Sequence, residues 1–257
     1  MSSLLRPAAA IFAALVVASG VARAQTAGSP TVDTIVLAMS NVHLVRGERV
    51  VLIDAGGRGD LAALEAALAA RGVAWKDIAA VVLTHGHADH AGLAAEIRRR
   101  SGAALLLGAG GLLMAAAGHN DELQPTNFTA HILKRFALDP AYEAFAPDVA
   151  VGDAPVDLAA YGVRGTVRQW PGHTPGSLVV ELPDGRAFVG DLMLGGWLGG
   201  RLFATRPGEH YFHADRARNL ANIQALLQRP VTTFFLGHGG PVTREAVMRA
   251  FGTAASR

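Results

Sequence analysis

The densest chemistry in the chain lies in one short segment, His85-Gly86-His87-Ala88-Asp89-His90, preceded by Thr84 and the apolar run Ile78–Leu83. Three imidazoles and a carboxylate, separated only by Gly and Ala, can converge from one tight loop. Imidazole nitrogens and carboxylate oxygens are good ligands for zinc and iron, and a loop at a strand's end can aim several at one point. Three further candidates stand singly, each directly after a glycine. His173 lies in Pro171-Gly172-His173-Thr174-Pro175-Gly176-Ser177, Asp191 follows Phe188-Val189-Gly190, and His238 lies in Gly237-His238-Gly239-Gly240. Position alone leaves open which metal binds and how the ligands divide.

These residues need elements to hold them. Thr34–Met39 and Arg49–Asp54 flank Asn41–Glu48 and read as early strands, with a turn near Arg46-Gly47-Glu48. Asp60 is placed to cap a helix carrying Leu61, Leu64 and Leu68 at helical spacing, and Gly72 ends it. The continuous apolar run Ile78–Leu83 has the pattern of a buried strand. A helix over Leu93–Arg100 and a strand at Ala104–Leu107 follow, and this alternation predicts a layered α/β architecture. Gly108–Pro147 has a weaker grammar, with helical stretches at Leu112–Ala117 and Asn127–Ala137 around the polar His119-Asn120-Asp121-Glu122. Beyond Asp148 short strands dominate: Val149–Val151, Val156–Leu158, Val163–Gln169, Leu178–Glu181 and Arg186–Val189. A Pro183-Asp184-Gly185 turn joins the last two as a hairpin. A helix over Ala214–Gln228, a strand at Thr232–Leu236 and a helix near Arg244–Phe251 complete the series. No linker divides it, so residues 25–257 are expected to form a single domain.

The chain has 257 residues with ten His and no Cys, which excludes disulfides, thiolate metal sites and a Cys nucleophile together. Residues 1–24 read as a secretory signal peptide: Arg6 precedes the apolar run Ala8–Ala18, and Ala22-Arg23-Ala24 offers small residues for cleavage before Gln25. The apolar run is short of the ~20 residues a membrane span needs. The expected location is therefore the periplasm or the exterior, with no membrane span after cleavage. That segment holds Arg6 and Arg23, which account for the formal charge of +2, so the mature chain is neutral. A neutral chain without a basic stripe offers nucleic acid no electrostatic footing.

The segment His85–His90, followed in order by His173, Asp191 and His238, resembles the metal signature of the metallo-β-lactamase superfamily from about Thr34 to Gly240. The resemblance implies a four-layer αββα sandwich of two mixed sheets with helices outside and a metal site at one edge. It assigns His85, His87 and His173 to one metal, Asp89, His90 and His238 to a second, and Asp191 to both. Two zinc ions are the implied cofactors, with iron or manganese as alternatives. The implied enzyme is a zinc-dependent hydrolase whose metal-bridging hydroxide attacks an ester, lactone, thioester or β-lactam carbonyl, with Asp89 orienting it and shuttling a proton. Asp54 and the hydroxyls of Thr84 and Thr174 are expected to support the ligands, turn stabilisation being the competing role for both threonines.

Branches of the superfamily differ at recognisable positions. The absence of Cys removes the β-lactamases with a Cys ligand. The all-His/Asp subclass shares His-x-His-x-Asp-His and the His-Thr-Pro-Gly-Ser turn, although Asp191 is not normally a bridging ligand there. Glyoxalase II enzymes share the Gly190-Asp191 pair but carry a glutathione-binding helical domain, for which the residues after Gly240 are too few. Quorum-quenching lactonases place a tyrosine where this chain has Leu194. Two other classes stand as alternatives: a mononuclear iron enzyme resembling persulfide dioxygenases, and a non-catalytic periplasmic metal-binding protein. Trp197, His119, His210 and Tyr211 are the substrate-binding candidates. With Leu198, Phe203 and Phe212 they suggest an apolar wall for a small hydrophobic or amphipathic substrate.

Overall fold

The computed structural model describes residues 28–136 and 140–252; the expected signal segment 1–24 lies outside the described residues. Strand β1 (Thr31–Val36) pairs antiparallel with β2 (Asn41–Arg46), which pairs antiparallel with β3 (Val50–Ile53). Helix α1 (Leu61–Ala70) returns the chain to β4 (Ile78–Leu83), parallel to β3. The short α2 (Ala88–Ala91) and α3 (Ala94–Ser101) lead into β5 (Ala104–Gly108). Helices α4 (Leu112–Ala117) and α5 (Phe128–Phe136) precede β6 (Val149–Val151), which completes a mixed six-stranded sheet in sequential order.

The next four strands are β7 (Val156–Asp157), β8 (Thr166–Gln169), β9 (Leu178–Glu181) and β10 (Arg186–Gly190). A separate hairpin comes next, β11 (Leu194–Trp197) with β12 (Leu202–Gly208). Helix α6 (Arg216–Leu226) starts at Asp215, whose carboxylate accepts from the Arg218 amide at 2.9 Å. It crosses over to β13 (Thr233–Leu236), parallel to β10. Strand β14 (Val242–Thr243) and helix α7 (Arg244–Phe251) complete the second six-stranded sheet, in the order β14-β13-β10-β9-β8-β7.

The period-2 alternation of strand side chains builds three apolar layers between these elements. Val45, Val51, Ile53, Val82 and Leu106 from the first sheet meet Val167, Leu178, Val180 and Phe188 from the second. The alternate residues Leu44, Leu52, Val81, Leu105 and Leu107 pack outward on Leu64 and Leu68 of α1 and Ile97 of α3. On the far face, Val179, Val189, Phe234 and Leu236 cover Ile223 and Leu226 of α6 and Val247 of α7. Helices therefore lie outside two sheets packed face to face, the expected αββα order. Ile78–Leu83 reads as unbroken apolar sequence because both of its faces are buried.

Three local features depart from the sequence expectation. Asn41–Arg46, between the two expected early strands, is itself a strand, and its Asn41 and His43 side chains reach the Leu236 carbonyl of the second sheet. The His43 ring lies between the sheets, 5.2 Å from the Phe188 ring, and its Nε2 donates to the Leu236 carbonyl at 3.0 Å. Burial pushes its pKa down to about 4, so it is a neutral core imidazole. Asp60 stands at the N-cap of α1 without bonding the helix amides. Its carboxylate instead accepts from the amides of Gly57 at 2.9 Å and Ala38 at 3.2 Å, tying the β1–β2 turn to the start of α1. The segment expected to be a glycine-flanked tip is the hairpin β11–β12.

Phe188→Ala would leave a void in the layer between the sheets. The expected loss is about 3–5 kcal/mol of stability, read as a lower urea midpoint. A loss below ~1 kcal/mol would show that this layer does not hold the sheets together.

Candidate metal centre

The chemistry-bearing residues gather at one edge of the sandwich, beyond the C-terminal ends of β4, β10 and β13 and on the β8–β9 connection. Glycines permit the crowding. Gly190 adopts φ +52°, and a Cβ there would lie 2.6 Å from Thr84 Oγ1. A Cβ on Gly237 would collide with Asp191 Oδ1 and His90 Cε1. The Tyr142 hydroxyl donates to the Gly86 carbonyl at 2.7 Å and pins the histidine loop from the far side of α4.

His85, His87 and His173 form one triad of ligand atoms and Asp89, His90 and His238 another, each with its atoms within 4.8 Å of one another. His173 Nε2 lies 3.1 Å from His87 Nδ1, and His90 Nε2 lies 3.3 Å from His238 Nε2. Asp191 Oδ2 sits between the triads, 3.8 Å from His85 Nε2, 3.7 Å from His173 Nε2, 3.4 Å from His90 Nε2 and 3.2 Å from His238 Nε2. A further imidazole, His210, brings its Nε2 within 3.2 Å of the same oxygen.

The outer nitrogens of the five triad histidines all have acceptors. His85 Nδ1 meets Thr84 Oγ1 at 3.1 Å, and Thr84 gives its own hydroxyl hydrogen to Asp54 at 2.9 Å. His90 Nδ1 donates to Asp54 at 2.8 Å, and His87 Nε2 donates to Asp121 at 3.1 Å. His173 Nδ1 donates to the Phe212 carbonyl at 2.8 Å and His238 Nδ1 to the Met39 carbonyl at 2.7 Å. Each ring can thereby keep one hydrogen on the outside, which leaves its inner nitrogen as the atom that a cation would take. His85 Nε2 and Asp191 Oδ1 are buried and find no hydrogen-bond partner among the described residues. An unpaired buried polar atom is unfavourable by about 1–3 kcal/mol, so this donor set fits a cation. Nitrogen and oxygen donors without sulfur suit zinc, iron or manganese.

The two triads differ electrically. Burial, reinforced by neighbouring imidazoles, holds His85 and His173 well below the ordinary histidine range. Burial also acts against a charged His238, but Asp191 and Asp89 outweigh it and raise it to about 10. His90 is raised in the same way by Asp191, Asp89 and Asp54. Burial would raise Asp89 and Asp191, yet the facing histidines hold both below the carboxylate range. Without a cation, protons on the second triad balance the buried carboxylates.

A cavity of about 730 Å³ opens over His87, Asp89, Asp191 and His238. Leu123, Leu133, Leu198, Tyr211 and Phe212 give it apolar walls. Of the substrate-binding candidates, His210 and Tyr211 line this cavity. Trp197 and His119 do not: Trp197 is 61% exposed and packs edge-on against Phe203, while the exposed His119 bonds the Asn120 carbonyl. Of the two threonine hydroxyls, Thr84 supports His85, whereas Thr174 pairs with Ser177 Oγ at 3.1 Å within its own turn. The sequence reading missed Asp121 as a support, although it lies in the polar stretch already singled out. It also missed the Met39 and Phe212 carbonyls, which leave no mark in a sequence.

Comparison with known proteins agrees with this geometry. Residues 36–238 match the family model of the metallo-β-lactamase superfamily. The chain is 34% identical over 157 residues to a hydroxyacylglutathione hydrolase of Anaeromyxobacter dehalogenans, covering 61% of this chain and 46% of that protein. It is 56% identical over 54 residues to the probable metallo-hydrolase YqjP of Bacillus subtilis, covering 20% of this chain and 17% of that protein. The match thus spans less than half the length of each curated relative. Among solved structures, the BLEG-1 B3 metallo-β-lactamase superposes with a TM-score of 0.64 at 21% identity, covering 86% of this chain and 98% of that one. Fold, ordered signature and family match agree: the chain belongs to the metallo-β-lactamase superfamily.

Proposed function

We propose that this chain is a dinuclear zinc hydrolase that attacks the carbonyl of an ester, lactone, thioester or β-lactam. The observation that carries the reading is the common orientation of the five triad imidazoles, whose outer nitrogens all have acceptors and whose inner nitrogens converge around the Asp191 carboxylate. His85, His87 and His173 would hold one ion, Asp89, His90 and His238 the other, and Asp191 would serve both. When bound, the pair supplies Lewis acidity, drawing a water's pKa toward neutrality and polarising a carbonyl. Asp89 lines the cavity and its side chain is 25% exposed, so its carboxylate can orient the attacking water, hold the released proton and pass it to the leaving group. Asp54 keeps His90 and Thr84 in register beneath the centre.

The apolar walls support a small hydrophobic or amphipathic substrate. The likeness to a hydroxyacylglutathione hydrolase supports a thioester among the candidates. Arg6, the apolar run after it and Ala22-Arg23-Ala24 support export to the periplasm or beyond, with residues 25–257 acting as one domain. No helix among the described residues is long and apolar enough to cross a membrane.

Elemental analysis of the chain from Gln25 onward should find two zinc ions, and a screen of ester, lactone, thioester and β-lactam substrates should find turnover. His87→Ala and Asp89→Ala should each lose one ion and cut kcat/KM by more than ~100-fold, because removing even an outer support of a ligand costs 10- to 100-fold. Folding should be unchanged by circular dichroism. Full activity in either variant would sink the mechanism.

Metal uptake should also carry a proton signature. A cation must displace hydrogen from His238, raised to about 10, and from the similarly raised His90, whereas His85 and His173 are already neutral at pH 7. Because deprotonation favours the bound form, affinity for the second zinc ion should rise with pH, by about tenfold per unit for each proton displaced. The first ion should show a shallower slope. Chelator competition at several pH values measures both, and equal slopes would contradict the electrical difference between the triads.

A further inference from the structure

His210 stands among the five triad histidines but is turned the opposite way. Its ring lies 4.7 Å from that of His173 and 5.7 Å from that of His238, with Nε2 at 3.2 Å from Asp191 Oδ2. The buried Phe212 amide donates to His210 Nδ1 at 3.2 Å. The Phe212 carbonyl lies farther from the same nitrogen, at 3.3 Å, and makes its shorter bond with His173 at 2.8 Å. A hydrogen on Nδ1 would take from the Phe212 amide its acceptor, whereas an acceptor Nδ1 satisfies it. The hydrogen therefore sits on Nε2 and points toward the centre, where the five triad rings aim the nitrogens that a cation would take. His173, Asp191 and His210 lie within ligand distance of one another, yet a protonated Nε2 is a donor and holds no cation.

The donor is held in place. The Thr126 hydroxyl bonds the His210 carbonyl at 2.9 Å, the Thr126 amide bonds the Tyr211 carbonyl at 2.9 Å, and the His213 amide bonds the Gln124 carbonyl at 3.1 Å. The His210 side chain is only 9% exposed, and that edge faces the cavity. A cation held by Asp191 Oδ2 would compete with the His210 N–H for that oxygen and so free the N–H for an oxygen in the cavity.

We propose that His210 is a further catalytic residue, a fixed N–H donor to the substrate oxygen on which negative charge develops. The proposal rests on the hydrolase reading above. As the water oxygen bonds to the carbonyl carbon, its proton passes to Asp89 and the π pair of the carbonyl moves onto the carbonyl oxygen. His210 Nε2–H hydrogen-bonds that oxygen without giving up its proton. The pair then reforms the carbonyl as the bond to the leaving group breaks, and the leaving group takes the proton from Asp89. A donor fixed before the reaction stabilises this charge without reorganising.

The test uses the zinc-loaded chain with 4-nitrophenyl butyrate, a butyryl thioester, a γ-lactone and a penicillin as probes. Long-range ¹⁵N–¹H spectra of the imidazoles should show His210 with a protonated Nε2. His210→Ala should retain both zinc ions and lower kcat about 10²–10³-fold on the probe that turns over, with KM changed less than about threefold. His210→Gln, which restores an N–H, should recover part of that loss. A zinc-bound Nε2, loss of zinc from His210→Ala, or an unchanged kcat in it would each overturn the proposal. If the wild-type chain holds zinc and hydrolyses none of the four probes, the hydrolase reading falls and the catalytic role falls with it. If the wild-type chain turns over and His210→Ala is as fast, only the role of His210 falls.

Discussion

An imidazole can hold a cation with one nitrogen only while its hydrogen stays on the other, and in a buried site that hydrogen needs an acceptor. The centre depends on meeting this condition five times, and the acceptors come from separate parts of the fold. Asp54 follows β3, Thr84 follows β4, Asp121 lies between α4 and α5, Phe212 follows the β11–β12 hairpin, and Met39 lies in the β1–β2 turn. The site therefore binds together segments that are remote in sequence. Support for His238 shows how far this reaches. The Asn41 side chain donates to the Leu236 and Gly239 carbonyls at 3.0 and 2.8 Å, and His43 reaches Leu236 from between the sheets. Strand β2 thus grips the loop that carries His238 on both sides of the ligand.

The same burial that sharpens ligand geometry creates a charge problem. Carboxylates and imidazoles gathered in a largely buried site are stable only if their charges match. The arrangement separates them: burial and neighbouring imidazoles keep His85 and His173 neutral, while His90 and His238 face Asp89 and Asp191. Asp191 belongs to both neighbourhoods, and its Oδ2 can meet either a proton-bearing imidazole or a cation.

How legible this was in the sequence depends on which interactions are local. The buried strand Ile78–Leu83, the loop after it and helices α4 and α7 are readable because apolar runs, small spacers and end signals lie within a few residues of one another. The ligand order came from a family resemblance; spacing alone left the division between metals open. Strand β2 was hidden because Asn41 and His43 look like loop residues until the carbonyl of Leu236, almost two hundred positions away, is in view. Asp60 was misread for a related reason, since its acceptor role is settled by the Ala38 amide and not by its own helix. His210 looked like one aromatic-loop residue among several. Its relation to Asp191 depends on how the β11–β12 hairpin returns the chain to the centre, which no local pattern encodes.

Ligands and cavity walls also differ in what holds them. The ligands sit at strand ends, where the layers on either side leave little choice of position. The walls come from the α4–α5 connection, the hairpin and the segment from His210 to Phe212, whose placement rests on turns and a few long-range hydrogen bonds. In the hairpin the pairing shifts register between Gly195 and Trp197, next to Gly196 at φ +71°. Adjacent side chains in a strand point to opposite faces, so such an irregularity decides which apolar residue is presented where. Here Leu198 reaches the cavity and Trp197 turns to solvent against Phe203. A change of one residue in that turn would alter the wall while leaving every ligand in place. The candidate ligands and the cavity wall are thus placed by different physical constraints in this fold, strand-end geometry for the first and turn register for the second.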